Sequence, residues 1–159
     1  IVTLVCEMAR WQGGEKLSKM TFLGLDVSGP ALEIASKNAE KYDVPVEFQK
    51  FDLTKDTFTL NPSPFTLILA NLPYVPNDFH INTAATHEPD LAIFGGTDGL
   101  DYYRELFKKL QSGIKSQGSR VMVLTESLPP QHTALRDIAS DHRFIQTHEE
   151  DFIQCFRSK

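Results

Sequence analysis

A chain of 159 residues, 41% hydrophobic and 23% charged, has the make-up of one ordinary globular domain with room for a real core, so residues 1–159 are expected to fold as a single domain. Its formal net charge of -5 argues against a function that needs a broad basic surface for nucleic acid, although a local basic patch stays open. No apolar run approaches the length of a membrane span and the opening Ile1-Val2-Thr3-Leu4-Val5 has no basic leader, so no membrane partner is expected and the expected compartment is the cytoplasm.

In chain order, Val2, Val5, Cys6 and Ala9 recur at helical spacing, and a helix is expected over residues 1–11, although Ile1 to Val5 alone would pass as a strand. Thr21-Phe22-Leu23-Gly24-Leu25 reads as a short buried strand ending at Asp26. Ser28 then caps a helix that tolerates Pro30 in its first turn and turns Leu32, Ala35, Ala39 and Tyr42 to one apolar face. A second strand from Val44 to Gln49 ends in Phe51-Asp52-Leu53, and a third from Phe65 to Ala70 runs into Asn71-Leu72-Pro73-Tyr74.

A turn at Val75 to Asp78 leads into an irregular stretch through Gly96, and a loop of that length in a compact domain is more often functional than idle. Asp98 can start a helix whose Leu100, Tyr103, Phe107, Leu110 and Ile114 share a face, with Asp101 in its first turn. Arg120 to Glu126 is apolar on successive residues, as a central parallel strand should be. Pro129-Pro130 opens a helix carrying Leu135, Ile138 and Ala139, and Phe144 to His148 and Phe152 to Phe156 form an antiparallel pair around Glu149-Glu150-Asp151. Alternating strands and helices make the class α/β, with a mostly parallel sheet and an antiparallel C-terminal strand pair.

In such a sheet ligands bind outside the carboxyl ends of the strands, which here carry Asp26, Asp52, Asn71 and Glu126. Asp26 either accepts both ribose hydroxyls of a nucleotide or closes the turn before the helix. Asp52 either receives an adenine amino group or is a surface carboxylate, and Asn71-Leu72-Pro73-Tyr74 in isolation reads as a plain turn. Cys6 and Cys155 have no metal-like spacing and serve as small apolar residues. His80, His87, His132, His142 and His148 show no ligand spacing either, so surface or loop roles are expected for them and no metal is assigned.

Gly24-Leu25-Asp26-Val27-Ser28, followed by Ala31-Leu32 and Asn38-Ala39, resembles the stretch after the first motif of class I S-adenosylmethionine-dependent methyltransferases, which have a Rossmann-like fold. Asn71-Leu72-Pro73-Tyr74 resembles the Asn-Pro-Pro-Tyr motif of those that methylate amino groups of glutamine, adenine or cytosine. The run Glu88 to Gly96, with Asp98-Gly99-Leu100-Asp101 and Tyr103-Arg104, is similar to the peptide-chain release factor glutamine N5-methyltransferases.

The likeness covers nearly the whole chain. It implies methyl transfer from S-adenosyl-L-methionine to the amide nitrogen of the glutamine in a release factor's Gly-Gly-Gln motif. It further implies cofactor contacts from Asp26, Asp52, Leu53 and Asn71, substrate contacts from Asn71, Leu72, Pro73 and Tyr74, and catalytic roles for Asn71, Pro73 and Tyr74. The Asn71 side-chain oxygen and the Leu72 carbonyl would accept the two amide protons, and the Tyr74 ring would pack on the flat amide.

Two departures from the family pattern stand out. Leu72 replaces the usual second proline, with Pro73 still biasing it toward an extended backbone. The family's first strand, its glycine-rich loop and its amino-terminal helical domain should precede Ile1, so the chain is expected to be an incomplete catalytic domain. A nucleic-acid amino-group methyltransferase and a non-catalytic, degenerate binding domain are the alternatives. No nucleic acid is expected as a partner except through the release factor, and nothing in the sequence fixes an oligomeric state.

Overall fold

The structure, a computed structural model, describes residues 21–56, 66–80, 88–113 and 120–159. The helix expected over residues 1–11, Cys6, His87, Ile114 and the start of the strand expected from Phe65 lie outside the described residues. Two compact units, Ile1–Asp56 and Thr57–Lys159, are taken one at a time.

In the first unit, β1 (Phe22–Asp26) and β2 (Val46–Lys50) are parallel, with Phe22 opposite Val46 and Asp26 opposite Lys50. Parallel neighbours need a crossover, and α1 (Gly29–Lys41) supplies it. The Ser28 hydroxyl accepts the Ala31 N–H at 3.3 Å, and Pro30 sits in the first turn, where its missing N–H leaves no bond unmade. Helix α1 buries Ala39, while Tyr42, expected on the apolar face, is exposed. Strand β2 starts two residues later than expected because the Val44 N–H is taken by the Ala39 carbonyl in closing the helix.

The strand expected at Thr21 to Leu25 is present, but it is not buried. None of its residues is fully covered and Leu25 is 37% exposed. A run apolar on successive residues needs cover on both faces and both edges. Among the described residues, β2 pairs with β1 along one edge alone.

The second unit contains β3 (Leu67–Ala70), α2 (Asp90–Ile93), α3 (Asp101–Gly113), β4 (Met122–Glu126), a 3-10 turn at Pro129–Gln131, α4 (His132–Asp141), β5 (Phe144–Glu150) and β6 (Ile153–Ser158). Its sheet runs β3-β4-β6-β5, with β3 and β4 parallel, Ala70 opposite Thr125, and β6 antiparallel to both β4 and β5. Strand β4 is therefore central, as its sequence predicts, but parallel on one side only. Its burial also alternates: Val123 and Thr125 are covered while Met122 is exposed.

Leu100, Tyr103, Phe107 and Leu110 are buried as their spacing predicts, and Phe107 meets Phe144 and Phe156 edge-on at ring-centroid distances of 5.1 and 5.3 Å. Full burial of an aromatic of this size is worth roughly 1.5–3 kcal/mol. Leu135 and Ala139 of α4 are also buried. The C-terminal hairpin turns at Asp151, whose φ of 49° is left-handed.

Two expectations fail here for identifiable reasons. Helix α3 begins at Asp101 rather than Asp98, because Gly99 has a φ of 78° and Asp98 is drawn into other bonds. His132 is not a surface residue: it is 5% exposed at the start of α4, with Nδ1 3.1 Å from Glu149 Oε1.

Candidate active site

Strand β3 ends at buried Ala70 and delivers Asn71 to the surface. The Asn71 side chain is exposed and makes no hydrogen bond among the described residues. Leu72, Pro73 and Tyr74 are half-buried, so the chain dips back into the protein immediately after presenting this amide.

The loop owes its shape to the segment from Ile93 to Gly99. Val75 bridges to Phe94 in parallel, its N–H donating to the Ile93 carbonyl at 3.0 Å and its carbonyl accepting the Gly95 N–H at 2.9 Å. The Asn77 N–H donates to the Gly96 carbonyl at 3.0 Å. A methyl group at Gly95 would strike the Pro73 carbonyl, and one at Gly99 would strike the Tyr74 carbonyl and the Gln131 amide. The stretch expected to be irregular thus contains the short helix α2 and a pairing partner for the loop.

Asp98 anchors this segment. Its carboxylate accepts the Leu100 N–H at 3.1 Å and receives both terminal nitrogens of Arg104, Nη1 at 2.9 Å, while Arg104 also reaches Asp101 at 2.9 Å. The Arg104 guanidinium holds the Asp98 carboxyl below the usual carboxylate range. Glu88, at the head of the same stretch, is exposed.

Behind the loop, the Tyr74 hydroxyl donates to Glu126 Oε1 at 2.9 Å, so the carboxylate at the end of β4 holds the far end of the ring. Burial first, and then this bond to a carboxylate, push the Tyr74 phenol up to about 12. The hydroxyl of fully buried Tyr103 donates to the Glu126 carbonyl and lies 3.4 Å from the Ala70 carbonyl, so it straps together the ends of two neighbouring strands. Burial is the largest cause of a Tyr103 phenol raised above its ordinary value. Gln131 Nε2 donates to the carbonyls of Tyr74 at 2.8 Å and Asp98 at 2.7 Å, and its Oε1 accepts the Leu128 N–H at 2.8 Å.

The two expected cofactor carboxylates lie together in the first unit, at the carboxyl ends of adjacent strands, and the Asp26 carbonyl accepts the Phe51 N–H at 2.9 Å. Asp26 Oδ1 accepts the Ser28 N–H at 2.8 Å, so the turn role is real. Its Oδ2 has no partner among the described residues. Asp52 Oδ1 accepts the Thr54 N–H at 2.9 Å and the Thr54 hydroxyl at 2.6 Å, and Oδ2 pairs with the Lys55 ammonium at 2.9 Å. The Thr54 hydroxyl, then the Lys55 bond, then the Thr54 N–H hold the Asp52 carboxyl well below the ordinary carboxylate range. Leu53 follows in the same turn, half-buried.

No family model matches the chain. The release factor glutamine methyltransferase of Koribacter versatilis (strain Ellin345) is 30% identical over 128 residues, which are 77% of this chain and 45% of that protein. The release factor glutamine methyltransferase of Caulobacter vibrioides is 38% identical over 101 residues, 60% of this chain and 34% of that protein. This chain is a relative of the release factor glutamine methyltransferases. It spans less than half the length of these two curated relatives. The crystal structure of a methyltransferase from Pyrococcus furiosus matches 98% of the chain and 68% of its own length with a TM-score of 0.58 at 14% identity, and the fold is the Rossmann-like one of class I methyltransferases.

In this relative of the release factor glutamine methyltransferases, the segment around Gly95 and Gly99 meets the loop through backbone hydrogen bonds and close approaches among the described residues. Leu72, standing where the related motif has a proline, adds one backbone N–H to the loop. Sequence reasoning missed Tyr103 and Gln131. Tyr103 sits at an apolar helical position where only its polar tip distinguishes it, and a buried glutamine after Pro129-Pro130 leaves no periodic trace. No group of three His, Cys, Asp or Glu residues that could hold a metal ion exists among the described residues, and no described helix is long and apolar enough to cross a membrane.

Proposed function

We propose that this chain forms the catalytic part of a protein that transfers a methyl group from S-adenosyl-L-methionine to the side-chain amide nitrogen of the glutamine in a release factor's Gly-Gly-Gln motif. The observation that carries it is Asn71: an exposed amide at the tip of β3, on a loop whose backbone is tied on both sides, in a chain related to enzymes named for glutamine methylation.

An amide nitrogen is a poor nucleophile because its lone pair is delocalised into the carbonyl. Asn71 Oδ1 and the Leu72 carbonyl would accept its two protons, turning the nitrogen toward the methyl group and limiting rotation of the substrate amide. The Tyr74 ring, fixed at its hydroxyl by Glu126, would cover the flat amide and exclude water. Pro73 keeps the preceding Leu72 backbone extended, with its carbonyl as acceptor.

Two described carboxylates keep acceptors of the kind the cofactor's ribose and amino groups need. Asp26 keeps Oδ2 for a ribose hydroxyl. A carboxylate has about four acceptor positions, and three donors reach Asp52, so one position remains for an amino group. When bound, the cofactor supplies a methyl group on positively charged sulfur, which makes a strong general base at Asn71 unnecessary.

The test is methylation of a release factor peptide carrying Gly-Gly-Gln by the full-length protein. The wild type should transfer the methyl group, and Asn71→Ala should lose at least about 100-fold in rate, the order lost when a well-placed polar contact to the reacting group is removed. An unchanged circular dichroism spectrum would show that the fold is intact. Full activity in Asn71→Ala would sink the role given to that amide.

A further inference from the structure

Gln131 is 8% exposed at the head of α4, and both of its N–H donors are engaged: one on the Tyr74 carbonyl at 2.8 Å, one on the Asp98 carbonyl at 2.7 Å. Its oxygen takes the Leu128 N–H at 2.8 Å, so one side chain joins the loop after β3, the turn before α3 and the connection after β4. Only an amide has this polarity. A glutamate of the same shape brings acceptors alone, and would set a carboxylate against two carbonyl oxygens. Gly99 completes the arrangement, because any side chain there would fill the space through which the Gln131 amide reaches Tyr74.

Resting on the glutamine reading of the Asn71–Tyr74 loop, we propose that Gln131 is a positioning residue for Tyr74, fixing its carbonyl as Glu126 fixes its hydroxyl. The ring is thereby held at both ends, by groups on two different elements, where it must lie against the reacting amide. Displacement at a methyl group requires the attacking atom in line and in contact, and misplacement by about 1 Å costs on the order of 100-fold. Gln131 is assigned no contact with substrate or cofactor; its bonds go to the backbones of Leu128, Tyr74 and Asp98. Its effect travels through one carbonyl.

The experiment compares Gln131→Glu and Gln131→Met with the wild type in the full-length protein, measuring kcat, KM for the release factor peptide, cofactor affinity and amide hydrogen exchange at Val75. Below the unfolding temperature, kcat should fall at least tenfold in both variants, with cofactor affinity within twofold of wild type and exchange at Val75 faster. A merely structural role would lower the melting temperature while leaving kcat of the folded enzyme unchanged, and that outcome in either variant overturns the proposal. If the wild type itself does not methylate the peptide, the glutamine reading has failed instead. Val75 exchange then decides for Gln131 alone: unchanged protection overturns its positioning role, and faster exchange sustains it.

Discussion

Tyr103→Phe removes one oxygen atom from a fully buried position and leaves the ring packing in place. The hydroxyl donates to the Glu126 carbonyl and faces the Ala70 carbonyl at 3.4 Å. Removing it leaves the Glu126 carbonyl without its donor, and a buried group left unpaired costs roughly 1–3 kcal/mol. A net destabilisation of about 2 kcal/mol is expected. For a chain of this length that lowers Tm by on the order of 4–8 °C. Thermal unfolding followed by circular dichroism, with a urea titration to confirm an unchanged m-value, measures it. A shift smaller than about 1 °C would show that the hydroxyl does not join the two strand ends, since at 2–4 °C per kcal/mol it corresponds to less than about 0.5 kcal/mol.

The remaining expectations concern Tyr74 and two glycines. With its phenol pushed up to about 12 from an ordinary 10.0, folded Tyr74 keeps its proton over a range in which the unfolded chain releases it. Its contribution to stability is therefore complete below pH 10.0 and is lost as pH rises through about 12. In a spectrophotometric titration of the folded protein, Tyr74→Phe should leave the phenolate signal near pH 10 unchanged; a signal lost there would refute the shielding. Gly99→Ala, at a φ of 78° and in collision with the Tyr74 carbonyl and the Gln131 amide, should destabilise by more than about 1 kcal/mol in urea unfolding. Gly29→Ala, at the start of α1, meets no remote atom but places a Cβ before Pro30 in a helical backbone, so it should not stabilise and should cost less than Gly99→Ala; equal effects at the two positions would contradict the packing described.

How much was legible in the sequence follows from the range of each interaction. Periodicity places Leu100, Tyr103, Phe107 and Leu110 on one buried face, because that face is set by 3.6 residues per turn and nothing remote. The hairpin at Asp151 is equally local. The start of α3 is not, because Asp98 has an alternative in Arg104, six residues away. Burial of β1 could not be read from an apolar run alone, since cover depends on what lies beside the strand. His132 was misplaced for the same reason: its partner, Glu149, comes from β5.

The candidate site divides along the same line. Asn71, Pro73 and Tyr74 were legible because they stand together at a strand end, where one motif presents them. The segment Ile93 to Gly96 meets the loop through backbone bonds of Ile93, Phe94, Gly95 and Gly96. Backbone contacts constrain sequence only where the chains come too close for a side chain, as at Gly95 beside Pro73 and Gly99 beside Tyr74. The two motifs are therefore parts of one mechanical unit, the loop carrying the amide and the later segment setting its backbone. A substitution at Gly95 would move Pro73, and with it the Leu72 carbonyl proposed to accept a hydrogen bond from the substrate amide. The later segment thus sets the backbone of the loop on which the proposed chemistry rests.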